Sequence, residues 1–341
     1  MTTTTALNQA NKQLVWDFWR ALDTAPPSDS AGIVARYATE GTTWHGPDPV
    51  NDLQGSEAYA SVYWQPLRTA LSDFRRQTHV FFGGPSSGRI DGTGDGHLWV
   101  GGTGLFSGTF EKDFLGIAAT GKPIDIRWGE FCKVEDNRIV ESFYLLDMID
   151  FLQQAGIDLL PPARGADGIY PPPEAGDGLL FDALDEAQSA HTLAHIRRFI
   201  FDGLNAFDEN DLTSMGMAGF FHPQVKWYGP GGIGACLSFE EFENHHQKRW
   251  LHAYPDRRVQ DLDALIAEGP YSGGPGWAGV NATHTGEYLG YPATNRPVSF
   301  NGLDYWKLEN DRYVENWVFV DMIHLFRQLV PDFGAGKLPH L

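Results

Sequence analysis

An internal duplication governs what this chain can fold into. Shifting the sequence by 174 positions, with no gap, lays Leu115-Gly116, Ala119-Thr120, Pro123, Lys133, Glu135, Arg138, Val140-Glu141 and Asp147-Met148-Ile149 on identical residues. The partners are Leu289-Gly290, Ala293-Thr294, Pro297, Lys307, Glu309, Arg312, Val314-Glu315 and Asp321-Met322-Ile323. Upstream, an offset of 183 pairs Trp44-His45-Gly46-Pro47 with Trp227-Tyr228-Gly229-Pro230 and continues through Glu57/Glu240, Ala70/Ala253, Asp73/Asp256 and Arg75/Arg258. Earlier still, Asp17 and Ala21 answer to Asp202 and Ala206. Copies of this size are whole folding units, and 341 residues suit two cores better than one.

The order of elements is the same in both copies. Leu14, Phe18, Ala21 and Leu22 at helical spacing predict an amphipathic helix over 13–23, after a Thr-rich polar tail over 1–11. A second helical stretch around 33–37, a short strand entering the turn at Gly46-Pro47, and an aromatic-rich helix over 56–70 interrupted near Pro66 follow. From 78 to 146 the pattern alternates between Gly-rich turns, as strands do, and a short helix over 148–154 closes the unit. Pro161-Pro162 and Pro171-Pro172-Pro173 mark a semi-rigid linker. The expected organisation is α+β, with a first unit over 1–156, a linker over 157–188 and a second unit over 189–341.

Composition removes several function classes. A formal charge of -19 leaves no Lys/Arg excess for nucleic acid or an anionic membrane. No run of about 18 uncharged apolar residues is present, and the start lacks the basic and apolar regions of a signal peptide. A cytoplasmic protein acting on a small molecule is the expectation. Cys132 and Cys236 stand at non-equivalent places without CxxC spacing, and His245, His246 and Arg249 lack a third ligand at readable spacing, so no metal is expected. No GxGxxG after a strand, P-loop, GxSxG or HExxH occurs. With no cofactor implied, acid/base chemistry or plain binding is left.

The residues Thr283-His284-Thr285-Gly286-Glu287-Tyr288-Leu289-Gly290, then Pro292-Ala293-Thr294, and Val314-Glu315-Asn316-Trp317 with Asp321 resemble the SnoaL-like polyketide (ester) cyclases. These belong to the nuclear transport factor 2-like (NTF2-like) superfamily, with ketosteroid isomerase, scytalone dehydratase and limonene epoxide hydrolase. The resemblance is clear over the later part of both copies and weak over the helices. It implies two tandem cone-shaped NTF2-like domains, each with N-terminal helices packed on a curved antiparallel sheet, joined through the outer sheet faces as a pseudo-dimer, with further homo-oligomers open. The first copy reads Gly104-Leu105-Phe106-Ser107-Gly108 where the second has Ala282-Thr283-His284-Thr285-Gly286, which makes Phe106 the counterpart of His284 and leaves about four extra residues at 109–112.

Strand alternation selects the candidate site. In the cyclases the proposed acid/base aspartate lies two residues after the polar position matched by Asn316; here Val318 stands there, and Tyr144 in the first copy, so cyclase chemistry does not carry over directly. Asn316, Val318 and Val320 then face the pocket. On the neighbouring strand Gly302, Asp304 and Trp306 share a face, as do Trp128, Glu130 and Cys132. A carboxylate thus recurs at one pocket position, and among Trp and Phe its pKa would rise into the range of a general acid or base. The alternative is a structural carboxylate held by hydrogen bonds.

His284 is read as a proton relay with Asp304, or else as a core histidine. His45 and Tyr228, beside Trp44 and Trp227, are placed at the pocket mouth as groups that orient a substrate oxygen. Trp44, Trp128, Trp227, Trp306, Val318 and His246 are expected to touch substrate, and Asp147 and Asp321 to cap helices.

These residues suggest a cofactor-independent enzyme that removes a proton next to a carbonyl of a small ring or ring-forming substrate, in an aldol-type cyclisation, isomerisation (isomerase) or dehydration (lyase). Asp304 would be the base, with His284, Tyr228 and Asn316, and Glu130, His45 and Tyr144 would serve the first copy. The rivals are a non-catalytic module binding a ligand or partner and an epoxide-hydrolase-like hydrolysis.

Overall fold

In each unit a long helix and a curved sheet enclose a cone, and the sheet's other face meets its twin. The computed structural model describes residues 4–337. In the first unit β1 (Ala38–His45), β2 (Asp52–Gln54), β3 (Leu71–Pro85), β4 (Leu98–Phe110), β5 (Pro123–Glu135) and β6 (Arg138–Leu146) form a sheet in the order β2-β1-β6-β5-β4-β3. In the second, β7 (Phe221–Tyr228), β8 (Ala235–Cys236), β9 (Arg258–Val259), β10 (Ile266–Glu268), β11 (Tyr271–Thr283), β12 (Pro297–Glu309) and β13 (Arg312–Val320) run β10-β11-β12-β13-β7-β8, with β9 on β11. The sheets are antiparallel except where β1 meets β6 and β7 meets β13 in parallel. Both acidic hairpin turns work alike: Asp136-Asn137 and Asn310-Asp311 all have positive φ, the left-handed pair a two-residue turn requires.

One expectation changes at the helices. From residue 4 on the polar start is not a tail, because a helix runs over Thr4–Thr24, and Asn8, Asn11 and Lys12 on it are buried; residues 1–3 lie outside the described residues. Lys12 reaches out of its unit, its Nζ donating to Leu180 O (2.7 Å) in the linker and pairing with Glu268 (2.6 Å) of the second unit. The aromatic-rich helix is broken as expected near Pro66, through a wide turn over Tyr59–Trp64 between helices Gly55–Ala58 and Gln65–Ala70. The same widened turn recurs in the second unit at Phe242–Gln247.

The outer sheet faces make a second core. Phe131 stacks on its repeat partner Tyr305 at 4.8 Å and 16°, and the Tyr305 hydroxyl donates to Gly102 O (2.9 Å) across the units. Phe143, Leu145, Leu303, Trp317 and Phe319 complete this layer. The Pro-rich stretch is packed into it, with Tyr170 buried and its hydroxyl paired to Thr103 Oγ1 (2.7 Å), and with Pro171 O accepting from Trp317 Nε1 (2.9 Å).

The duplicated Asp147 and Asp321 cap helices Met148–Gln154 and Met322–Leu329 by accepting from Asp150 N and His324 N, both at 3.1 Å. Each carboxylate also crosses to the opposite unit. Asp147 accepts from Gly231 N (2.8 Å) and Asp321 from Asp48 N (2.7 Å), and Gly231 and Asp48 are themselves repeat partners. One side chain therefore ends a helix and clamps the neighbouring Gly-Pro turn. Asp321→Ala is expected to lower the free energy of unfolding by roughly 1–2 kcal/mol for the cap, with a further loss for the crossing bond. Denaturant titration measures it, and an unchanged midpoint would refute the clamp.

Candidate active site

The same alternation sends the two cones different ways. In the first, the inward residues fill the space. Arg76 pairs with Asp23 (3.0 Å) and lies 4.7–5.2 Å from the ring centres of Trp19, Trp64, Phe106 and Trp128. Glu130, 4 % exposed, accepts from Trp19 Nε1 (2.7 Å) and Ser142 Oγ (2.8 Å). Burial raises its pKa, against the pull of Arg76 and those donors. Tyr144 sits opposite Glu130 on β6 and stacks on Tyr63 at 4.4 Å, while Trp44 lies 4.1 Å from Tyr59. Glu130, Tyr144, Trp44 and Trp128 are thus brought together, inside an aromatic core.

The second cone holds a cavity of about 190 Å³, lined among others by Trp227, His246, Trp250, Arg257, Asp304 and Trp306. Two local departures open it. The edge strand that is continuous as β3 in the first unit is broken here into β9 and β10, and Leu262 and Leu265 between them reach the cavity. On β11 a register shift between Gly276 and Val280 adds a bulge with Ala278 at positive φ. The residues that fill the first cone are also replaced: Trp19 by Leu204 and Ser142 by Asn316, at the repeat offsets, while Glu130 becomes the shorter Asp304.

Asp304 lies on β12 opposite Val318, with Trp306 and Gly302 on the same face, as alternation requires. No indole or hydroxyl reaches it among the described residues. Desolvation raises its pKa to about 7, with the adjacent Asn316 favouring the ionised form. Asn316 is fully buried, its Nδ2 donating to Tyr305 O (2.9 Å), with Oδ1 lacking a partner. His246, on the widened helical turn, stacks on Trp227 at 4.4 Å. Desolvation, with Arg257 nearby, pushes it down to about 3, so it is a neutral imidazole.

Several expected members lie elsewhere. Because Trp44 and Trp227 point inward, the next residues point out: His45 stacks on Phe143 (4.3 Å) and pairs with Asp52, and Tyr228 packs on Trp317 (5.5 Å) between the sheets. Neither stands at a pocket mouth. His284 cannot relay protons with Asp304. Its backbone N–H donates to Arg296 O, eight residues before Asp304, about 25 Å along an extended strand. Its Nδ1 accepts from Thr294 N (3.3 Å), and its Nε2 is buried without a partner among the described residues. The backbone also corrects the pairing of the copies. Phe110 N donates to Lys122 O as His284 N does to Arg296 O, so Phe110 is the counterpart of His284, and the extra residues are the β11 bulge rather than 109–112.

Sequence reasoning passed over Arg257 and Trp250. Arg257 had a readable signal, since the offset that matches Asp73/Asp256 and Arg75/Arg258 sets it against Phe74, a charge in place of a core aromatic.

A carboxyl whose pKa rises on folding binds more protons in the native state. Its contribution to stability is present below the unfolded value of 3.8 and is lost as pH climbs through about 7. Asp304→Asn should therefore stabilise the protein at pH 8, by on the order of 1–3 kcal/mol, and leave it near the parent at pH 4. Thermal melts at the two pH values check this, and an equal effect at both would contradict it.

The model of the SnoaL-like polyketide cyclase family matches residues 17–155 and 196–329. No curated protein matches the chain. Among solved structures, the chain is similar to TsrD from Streptomyces laurentii (23% identity, 43% of this chain and 98% of that one, TM-score 0.32). It is also similar to a protein provisionally named a SnoaL-like polyketide cyclase from Jannaschia sp. CCS1 (13% identity, 43% and 97%, TM-score 0.37). A SnoaL-like polyketide cyclase from Agrobacterium tumefaciens is a third (17% identity, 40% and 97%, TM-score 0.31).

Proposed function

The chain belongs to the SnoaL-like polyketide cyclase family, which it matches twice, and from that premise we propose that its second unit is a general acid/base site for a small carbonyl compound. Asp304 is the base. Above its pKa the carboxylate takes a proton from the carbon next to the substrate carbonyl, and in its protonated form it returns one to another atom of the same substrate. Ring closure, double-bond migration and loss of water all follow from that pair of transfers.

The observation that carries this reading is one carboxyl, raised to about 7 by desolvation against the pull of Asn316, on the wall of a Trp/Phe-lined cavity. Its counterpart Glu130 has the same ancestry in the repeat yet is tied by an indole and a hydroxyl inside a filled core. The neutral His246 supplies a hydrogen bond to the oxyanion that develops as the proton leaves. Trp227, Trp250 and Trp306 offer flat apolar walls that suit a ring and exclude water. The first unit serves as the scaffold that holds the second.

The test begins with the small molecules that co-purify with the protein, identified by mass spectrometry and used as substrate leads. With a turned-over compound in hand, Asp304→Asn is expected to lower kcat/KM by about 100-fold or more, the usual scale of a lost general base. The parent activity should rise with pH through about 7, where the carboxyl ionises. Glu130→Gln should keep turnover within a few-fold. Loss of activity in E130Q with D304N unaffected would reverse the assignment.

A further inference from the structure

The wall of the second cavity carries a buried cation with no counter-charge. Arg257 is 2 % exposed, and its guanidinium lies between two rings, 4.7 Å from the centre of Phe207 and 4.8 Å from that of Trp250. Nη2 donates to Leu204 O (3.3 Å) and to Met215 Sδ (2.6 Å). Nε and Nη1 have no acceptor, and no Asp or Glu of the described residues pairs with it. Burial, with the like-charged Arg258 adding to it, pushes the guanidinium down to about 10, which leaves Arg257 charged at neutral pH. Leaving a charge in an apolar site without a partner is costly.

The first unit shows what such a site holds when it is complete. There the buried Arg76, also caged by aromatic rings, is neutralised by Asp23. The repeat partner of Asp23 is Asp208, which is exposed and accepts from Asn210 N (2.9 Å) and Nδ2 (3.0 Å) in its own turn. At the repeat offset Arg76 gives way to Val259, while Arg257 stands where the first unit has Phe74, so the second unit carries a ring-caged arginine at a new position and without a carboxylate.

We infer that the ligand of the second cavity is an anion that brings this carboxylate itself, a ring-bearing monocarboxylate whose acid group docks on Arg257 while its ring lies against Trp227, Trp250 and Trp306. This rests on the reading of that cavity as the substrate site and adds the substrate class and a specificity-determining residue. One guanidinium among aromatic rings matches one negative charge, whereas a dianionic phosphate would leave a net charge in the apolar cavity. Asp304, on β12, and Arg257, beside β9, stand on different elements of the cavity wall. A substrate anchored by its acid at Arg257 thus presents another atom to Asp304, and the carboxylate itself stays out of the proton transfer.

Calorimetric titration of the full chain with 2-naphthoate and with its uncharged amide, 2-naphthamide, tests this at near-neutral pH. The parent should bind the acid at least about tenfold more tightly than the amide, as a charge-assisted contact predicts. In Arg257→Gln the preference should fall to within about twofold with amide binding kept, which also shows that the variant is folded. Arg257→Lys should retain part of the preference. Equal binding of acid and amide by the parent, or a preference that survives in R257Q, would overturn the carboxylate assignment and leave the cavity as a substrate site. Binding of neither probe by the parent would overturn both.

Discussion

The face-to-face packing of the two sheets, centred on the stack of Phe131 against Tyr305, sets what else this molecule can do. It consumes the outer face of both sheets, so each unit keeps only its inner, concave face for function. The crossing bonds from Asp147 to Gly231 and from Asp321 to Asp48 then lock the periphery, each joining a helix cap to the opposite Gly-Pro turn. The outer residues His45 and Tyr228, which follow the inward Trp44 and Trp227, are committed to this arrangement.

With the interface shared, the copies were free to differ inside. The first cone closes on itself through a ring-caged Arg76–Asp23 pair and a Glu130 satisfied by Trp19 and Ser142. In the second, Leu204 and Asn316 stand where those donors stood, the edge strand is broken, and a bulge widens β11. What remains is a hollow with a carboxyl, a neutral imidazole and an arginine on its wall. Rigidity in one half supports an open, partly unsatisfied site in the other, a familiar exchange of stability for function.

Much of this was legible in the sequence for physical reasons. The repeat announced two units, the acidic turns at 135–137 and 309–311 marked the hairpins, and period-two alternation placed Asp304, Trp306 and Val318 on the cavity face. Position along a strand was harder to read. A bulge costs no hydrophobic pattern, so the insertion in β11 went to the wrong end of the strand, and His284 was set beside Asp304 when it lies near Arg296. The outward turn of His45 and Tyr228 followed from the same alternation that put their neighbouring tryptophans inside. Arg257 stayed hidden because a lone arginine near a helix end reads as solvated, and only three-dimensional packing shows that it is buried without a partner.

The central claim is that the second cone is the working site and the first is its scaffold. The most direct measurement is a crystal structure of the full chain with a co-purified or soaked ring carboxylate bound. The account predicts ligand density in the second cone, its acid group on Arg257 and its ring between Trp227 and Trp306, with a carbon facing the Asp304 carboxyl. Density in the first cone, in contact with Glu130 after displacement of Trp19, would contradict it.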